Sequence, residues 1–168
     1  MQASQKFWIE QLAAQLRGSD AVAQRAEQDA REAARTLATE SEKKEDGRAS
    51  LEFGSLATGQ ANRARGAQQD LRTLAAFGAG AGPSRDVVAL GSIVDVAILR
   101  EQAPEERTFI VLPVGAGCEL QGPGGDGFIS VITPASPVGR ALMGKRCGDV
   151  VDVAVRGDVL EYEVLAIA

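Results

Sequence analysis

The sequence predicts an α+β protein: an N-terminal antiparallel helical hairpin, coiled-coil in character, followed by a small antiparallel sheet domain with one short helix. Three observations predict it. Alanine and leucine recur at helical spacing through the first half. The stretch "FGAGAGPSRD" at 77–86 gathers glycines, a proline and a serine that end any helix. Beyond it, short Val- and Ile-rich runs are separated by glycine, proline and aspartate, as strands are. The chain thereby divides into a hairpin at 1–78, a linker at 79–86 and a second domain at 87–168.

The first helix opens with "KFWIEQLAAQLRGSD", where Trp8, Leu12 and Leu16 share a face. Trp8 reads as a packing residue at the base of this arm. Gly18-Ser19-Asp20 reads either as a C-cap followed by an N-cap or as a soft spot in one continuous helix. Val22, Ala26, Ala30, Ala33 and Leu37 then recur at steps of 4, 4, 3 and 4 and define the buried face. Glu27 and Arg31 stand four apart on the outer face, in the favourable order. The turn is placed in "EDGRAS", with the tip near 45–50, Gly47 as the C′ residue and Ser50 as the next N-cap. In the returning helix, Leu56, Ala64, Ala67, Leu71 and Leu74 supply the matching face, while Arg63, Arg65 and Arg72 make the helix locally basic. At about 1.5 Å per residue, arms of roughly 27 residues project about 40 Å. Alanine in the seam keeps the rod slender.

In the second domain, 87–99, 108–115, 127–134, 150–155 and 160–168 read as strands, with "RGD" at 156–158 as a hairpin turn. "SPVGRALMGK" at 136–145 is the helical insert, with Ser136 as N-cap and Pro137 at N1.

Composition narrows the function classes. The chain has no histidine, so His-based triads, His-metal sites and imidazole acid–base chemistry are excluded. Cys118 and Cys147 show no metal-ligand spacing, and a reducing, cytoplasmic setting is expected. The net charge of −5 argues against binding nucleic acid by bulk electrostatics. Acidity is concentrated late: 79–168 holds twelve acidic and seven basic side chains, against eleven of each in 1–78. No apolar run reaches membrane-spanning length, and the N-terminus has no signal-peptide pattern. Four carboxylates, Glu40, Glu42, Glu45 and Asp46, crowd the predicted turn beside Lys43 and Lys44.

The segments "LGSIVDV", "FISVITPASPVGRALMGKRCGDVVDV" and "LEYEVLAIA" resemble the C-terminal domain of the Gre family of bacterial transcription elongation factors. Ser136, Pro137, Gly139, Arg140, Ala141, Leu142, Gly144, Lys145, Gly148 and Asp149 stand at the matching places of that family's motif. The resemblance implies an FKBP-like sheet domain behind a coiled-coil hairpin. It also implies a partner, RNA polymerase, entered through its secondary channel. Acidic residues at the hairpin tip would there help hold a catalytic Mg²⁺ and a water that hydrolyse backtracked RNA, so the factor contacts nascent RNA indirectly. The chain would be an accessory factor, with no metal or cofactor of its own. Mg²⁺ takes oxygen ligands, and one or two carboxylates are its usual share from protein.

Aligned on "ATGQ" at 57–60, Asp46 falls on the family's first tip acid and Glu52-Phe53 on its Glu-Tyr pair. Ala49 falls on the second tip acid, with Arg48 beside it; Glu45 or Glu42, from the other side of the turn, can stand in. Asp46 and Glu45 are thus the candidate tip residues. Arg140 and Lys145 are the candidate polymerase contacts, in one segment with Ser136, Pro137 and Gly139, of which Pro137 and Gly139 also read as setting the backbone. Two outcomes stay open within this resemblance: a cleavage stimulator, or a channel-binding regulator or inhibitor that does not cleave. A coiled-coil module dimerising through its alanine seam is the alternative to both, whereas the Gre-like reading expects a monomer. A prolyl isomerase is disfavoured, because Phe109, Phe128 and Tyr162 are the only aromatics for its pocket.

Overall fold

The computed structural model of the chain describes residues 2–40, 46–78, 86–100, 103–122, 124–125, 127–155 and 157–168, with backbone alone at 2–4, 37–40, 46–50 and 155. Helix α1 runs Gln2–Glu40 and helix α2 Asp46–Gly78. Six strands follow: β1 (Ile93–Leu99), β2 (Glu105–Val111), β3 (Glu119–Gln121), β4 (Phe128–Ile132), β5 (Val150–Val155) and β6 (Asp158–Ile167). Helix α3 (Pro137–Leu142) lies between β4 and β5 in the chain. The predicted combination of two long helices, a small sheet and one short helix is therefore what the chain forms. By packing it makes two units, residues 13–72 and residues 1–12 with 73–168.

In the helical unit, α1 passes through Gly18 without a break. A helical glycine costs only about 1 kcal/mol relative to alanine. Here Asp20 ties the following turn down, accepting from Gln24 at 3.0 Å and from Gln68 of α2 at 3.4 Å. The seam is narrower than the periodicity predicted. Ala23 and Ala30 of α1 and Ala57, Ala61 and Ala64 of α2 are buried, whereas Val22 and Leu56 are 71% and 50% exposed. Ala30 and Ala64 are buried as predicted, while Ala23 takes the place expected of Val22 and Ala57 that of Leu56, because methyl side chains admit the closer approach of two backbones. Glu27 and Arg31 do pair across one turn. At the far end, Gly47 and Ser50 are helical residues of α2 and not the C′ and N-cap positions expected. An aspartate at the first helical position, where the dipole favours it, outweighs the glycine signal behind it.

A β-carbon added at Gly18 meets nothing within 4 Å. Gly18→Ala should therefore raise stability by about 1 kcal/mol, readable as a higher urea midpoint at unchanged slope.

The sheet unit has strand order β3-β4-β2-β1-β6-β5. All pairs are antiparallel except β2 with β4, which run parallel from Phe109↔Ser130 to Val111↔Ile132. The sheet is thus mixed rather than wholly antiparallel: the connection from β2 to β4 carries β3, which folds back on β4 as the outermost strand. One side of the sheet buries Val94, Val96, Ile98, Phe109, Val151, Val153, Tyr162 and Val164 in a core closed by Val88 and Leu142. Val88 belongs to a stretch expected to be strand. Instead it docks on the loop after α3, its N–H donating to the Lys145 carbonyl and its carbonyl accepting from Gly144.

The start of α1 belongs to this unit. Trp8 and Leu12 are buried, and the Gln11 side chain brackets edge strand β3. Its Oε1 accepts from the Gln121 N–H at 2.6 Å, and its Nε2 donates to the Gln121 carbonyl at 3.4 Å. Linker residues 79–85 and Arg156 of the predicted "RGD" turn lie outside the described residues. The strands flanking that turn pair as expected, ending at Val155↔Asp158.

Candidate partner-binding site

The segment 136–149 is built by its own hydrogen bonds. Ser136 has extended backbone, φ −69° and ψ 154°. Its Oγ accepts from the Gly139 N–H at 3.1 Å and donates to the Thr133 carbonyl at 2.8 Å. Pro137 supplies the first helical residue, where no N–H is needed. Gly139 sits so close to the preceding turn that a β-carbon there would lie 1.9 Å from the Thr133 carbonyl oxygen. Past α3, Asp149 Oδ2 accepts from the Arg146 N–H at 2.8 Å. The Gly148 N–H and the Asp149 carbonyl pair with Val164 of β6.

The five predicted contact residues therefore fall into two groups. Ser136 and Gly139 build the corner. Pro137 and Arg140 are exposed, Lys145 is half-buried, and the Arg140 side chain makes no hydrogen bond or ion pair among the described residues. Exposed Cys147 donates its thiol to the Leu165 carbonyl at 2.9 Å.

The tip acids are placed less fully. Glu45 lies outside the described residues, as do Glu42, Lys43 and Lys44. Asp46 is the first residue of α2, and its side chain is also outside them. Among the described residues no group of three His, Cys, Asp or Glu is placed to hold a metal ion, and no helix is long and apolar enough to cross a membrane.

A polar cluster on the sheet was missed from sequence. Glu105 pairs with Arg107 at 2.7 Å and Arg100 at 3.3 Å. The Arg107 hydrogen bond and charge, helped by Arg100 against a small desolvation, hold its carboxyl below the usual carboxylate range. The Thr108 hydroxyl donates to Asp95 Oδ1 at 2.6 Å. Asp95, Glu106, Arg107, Thr108, Glu119, Phe128 and Leu165 line an open cleft of about 610 Å³ here. Only the β1–β2 register brings Asp95 against Thr108, so no local motif announces the cluster.

Tyr162, stacked on Phe109 at 6.4 Å between ring centroids, is pushed above the ordinary tyrosine value, chiefly by burial. It is the single tyrosine of the chain, so tyrosinate absorbance reports it alone. We expect a titration midpoint above about 10. Because the folded value is raised, the contribution is intact below the unfolded value and is lost as pH rises through the folded one. Thermal stability should fall more steeply above about pH 10 in wild type than in Tyr162→Phe.

Comparison with known proteins completes the picture. The family model "Transcription elongation factor, GreA/GreB, C-term" matches residues 83–168. Transcription elongation factor GreA of Alkaliphilus oremlandii is 38% identical over 82 residues, which are 49% of this chain and 45% of that protein. GreA of Clostridium botulinum strain Hall is 37% identical over 83 residues, 49% of this chain and 46% of that protein. The chain spans about half the length of the curated relatives it matches. Among solved structures, GreA factor homolog 1 (Gfh1) of Thermus thermophilus covers 97% of this chain and 96% of its own, at 23% identity and a TM-score of 0.38.

Proposed function

This chain belongs to the GreA/GreB family of transcription elongation factors, and from that premise we propose that it binds bacterial RNA polymerase at the secondary channel and brings its hairpin-tip acids to the active site. In this reading 87–168 is the docking domain, 79–86 the connection and 1–78 the probe. The protein acts as a cytoplasmic monomer that lends groups to the polymerase's own chemistry.

The observation that carries the reading is the family match over the whole sheet domain, joined to two long helices, the second of which opens on Asp46 directly after Glu45. Ser136 and Gly139 hold the α3 corner, and Pro137, Arg140 and Lys145 make the contact. Asp46 and Glu45 donate carboxylate oxygens toward the polymerase's Mg²⁺. No histidine is needed for that task, since Mg²⁺ is a hard cation. A second reading, a channel-binding regulator without cleavage, is favoured by one residue: Ala49 stands where the usual second acid would be.

The test adds the full chain to stalled, backtracked elongation complexes with Mg²⁺ and follows transcript shortening. Stimulation should drop at least about tenfold with Asp46→Ala and be unchanged with Glu40→Ala. Polymerase binding without shortening selects the regulator. Absence of binding defeats both readings.

A further inference from the structure

On the side of the sheet opposite the core, Ala97, Ile110 and Val131 are buried toward β2 and β4, whereas the exposed strand positions toward β5 and β6 carry charge of one sign. On β5, β6, β1 and β2 the core-facing positions include Val151, Val153, Tyr162, Val164, Val96 and Phe109. The alternate positions hold Asp152, Glu161, Glu163, Asp95 and Glu106, and every charged side chain among them is a carboxylate. Asp152 and Glu161 are direct cross-strand partners. Like charges at directly opposite positions destabilise a sheet, so this pairing works against folding of the free protein. Neither residue makes an ion pair among the described residues. On the same face Val150 and Val159 are 53% and 66% exposed.

We propose that this face docks a basic amphipathic helix of a protein partner. Charge complementarity selects the occupant: lysines or arginines relieve the Asp152–Glu161 repulsion, and aliphatic side chains cover Val150 and Val159. The spacing agrees. Glu161 and Glu163 are two residues apart on β6, about 6.7 Å, and positions i and i+4 of a helix rise about 6 Å. Two such lysines reach both carboxylates from one helix face. This proposal does not rest on the polymerase reading, so failure of the cleavage assay leaves it standing.

The test titrates the ¹⁵N-labelled full chain with a synthetic helical peptide carrying lysines at i and i+4 between leucines. Amide shifts should concentrate on β1, β5 and β6, and binding should weaken as salt screens the charges. Asp152→Asn combined with Glu161→Gln should weaken binding at least about tenfold, while raising the thermal midpoint of the free protein, which shows that the variant is folded. Equal binding by a peptide with glutamates in place of the lysines overturns the proposal. So does undiminished binding by the double variant, or a shift map centred on α3 or on the start of α2.

Discussion

Gly139→Ala is expected to lower stability by about 3 kcal/mol or more, the upper range of forced overpacking. Helix propensity alone gives the opposite sign, since alanine is preferred over glycine inside helices by about 1 kcal/mol. Space decides. The added β-carbon would lie 1.9 Å from the Thr133 carbonyl oxygen, 2.8 Å from its carbon and 2.9 Å from Ser136 Oγ. The first two are backbone atoms, so no rotamer change relieves the clash. Either the α3 corner opens and Ser136 loses its cap, or Thr133 shifts and pulls on β4. Equilibrium urea unfolding reads the result directly, with Gly18→Ala as the control that should move the other way. A midpoint for Gly139→Ala at or above wild type would refute the close approach.

Leu12→Ala should cost about 2–5 kcal/mol, as removal of a fully buried leucine does. Leu12 has no exposed surface and lies directly against Gly115, where a β-carbon would meet both its terminal methyls at 2.8 Å. That proximity makes a second, sharper expectation. Gly115 has φ +85°, so Gly115→Ala carries backbone strain of about 1–2 kcal/mol as well as the clash with Leu12. In the double variant the clash is gone and the strain remains. The combined loss should therefore be smaller than the sum of the single losses, and additive values would show that the two residues do not touch.

Legibility from sequence followed the range of the interactions concerned. The α3 corner was readable at once, because Ser136, Pro137 and Gly139 act within four residues of one another. Strands with a clean alternation, such as β5 and β6, were placed almost to the residue. Local signals misled where a tertiary contact overrode them. Gly47 looked like a helix stop and is helical. Val88 looked like strand and buries itself against the loop after α3. Val22 has a larger apolar side chain than Ala23 and is nonetheless outside, because the close approach of two helices selects the smaller residue. Strand β3, three residues long, has no periodicity to detect. The candidate site divides the same way. Its scaffold was legible as a motif, whereas the Asp95–Thr108 contact and the carboxylate face of the sheet appear only once register is known.

The packing of Trp8, Leu12 and Gln11 with the sheet has a consequence for the order of events during synthesis. Gly115 and Gln121, which Leu12 and Gln11 meet, leave the ribosome more than a hundred positions after them. Residues 13–72, in contrast, hold both sides of the alanine seam and can pair as soon as α2 has emerged. In a nascent chain the helical unit closes early, while the apolar start of α1 waits for its cover. Contacts of such long sequence separation are the slow ones in folding, so the sheet unit is expected to complete after the helical unit.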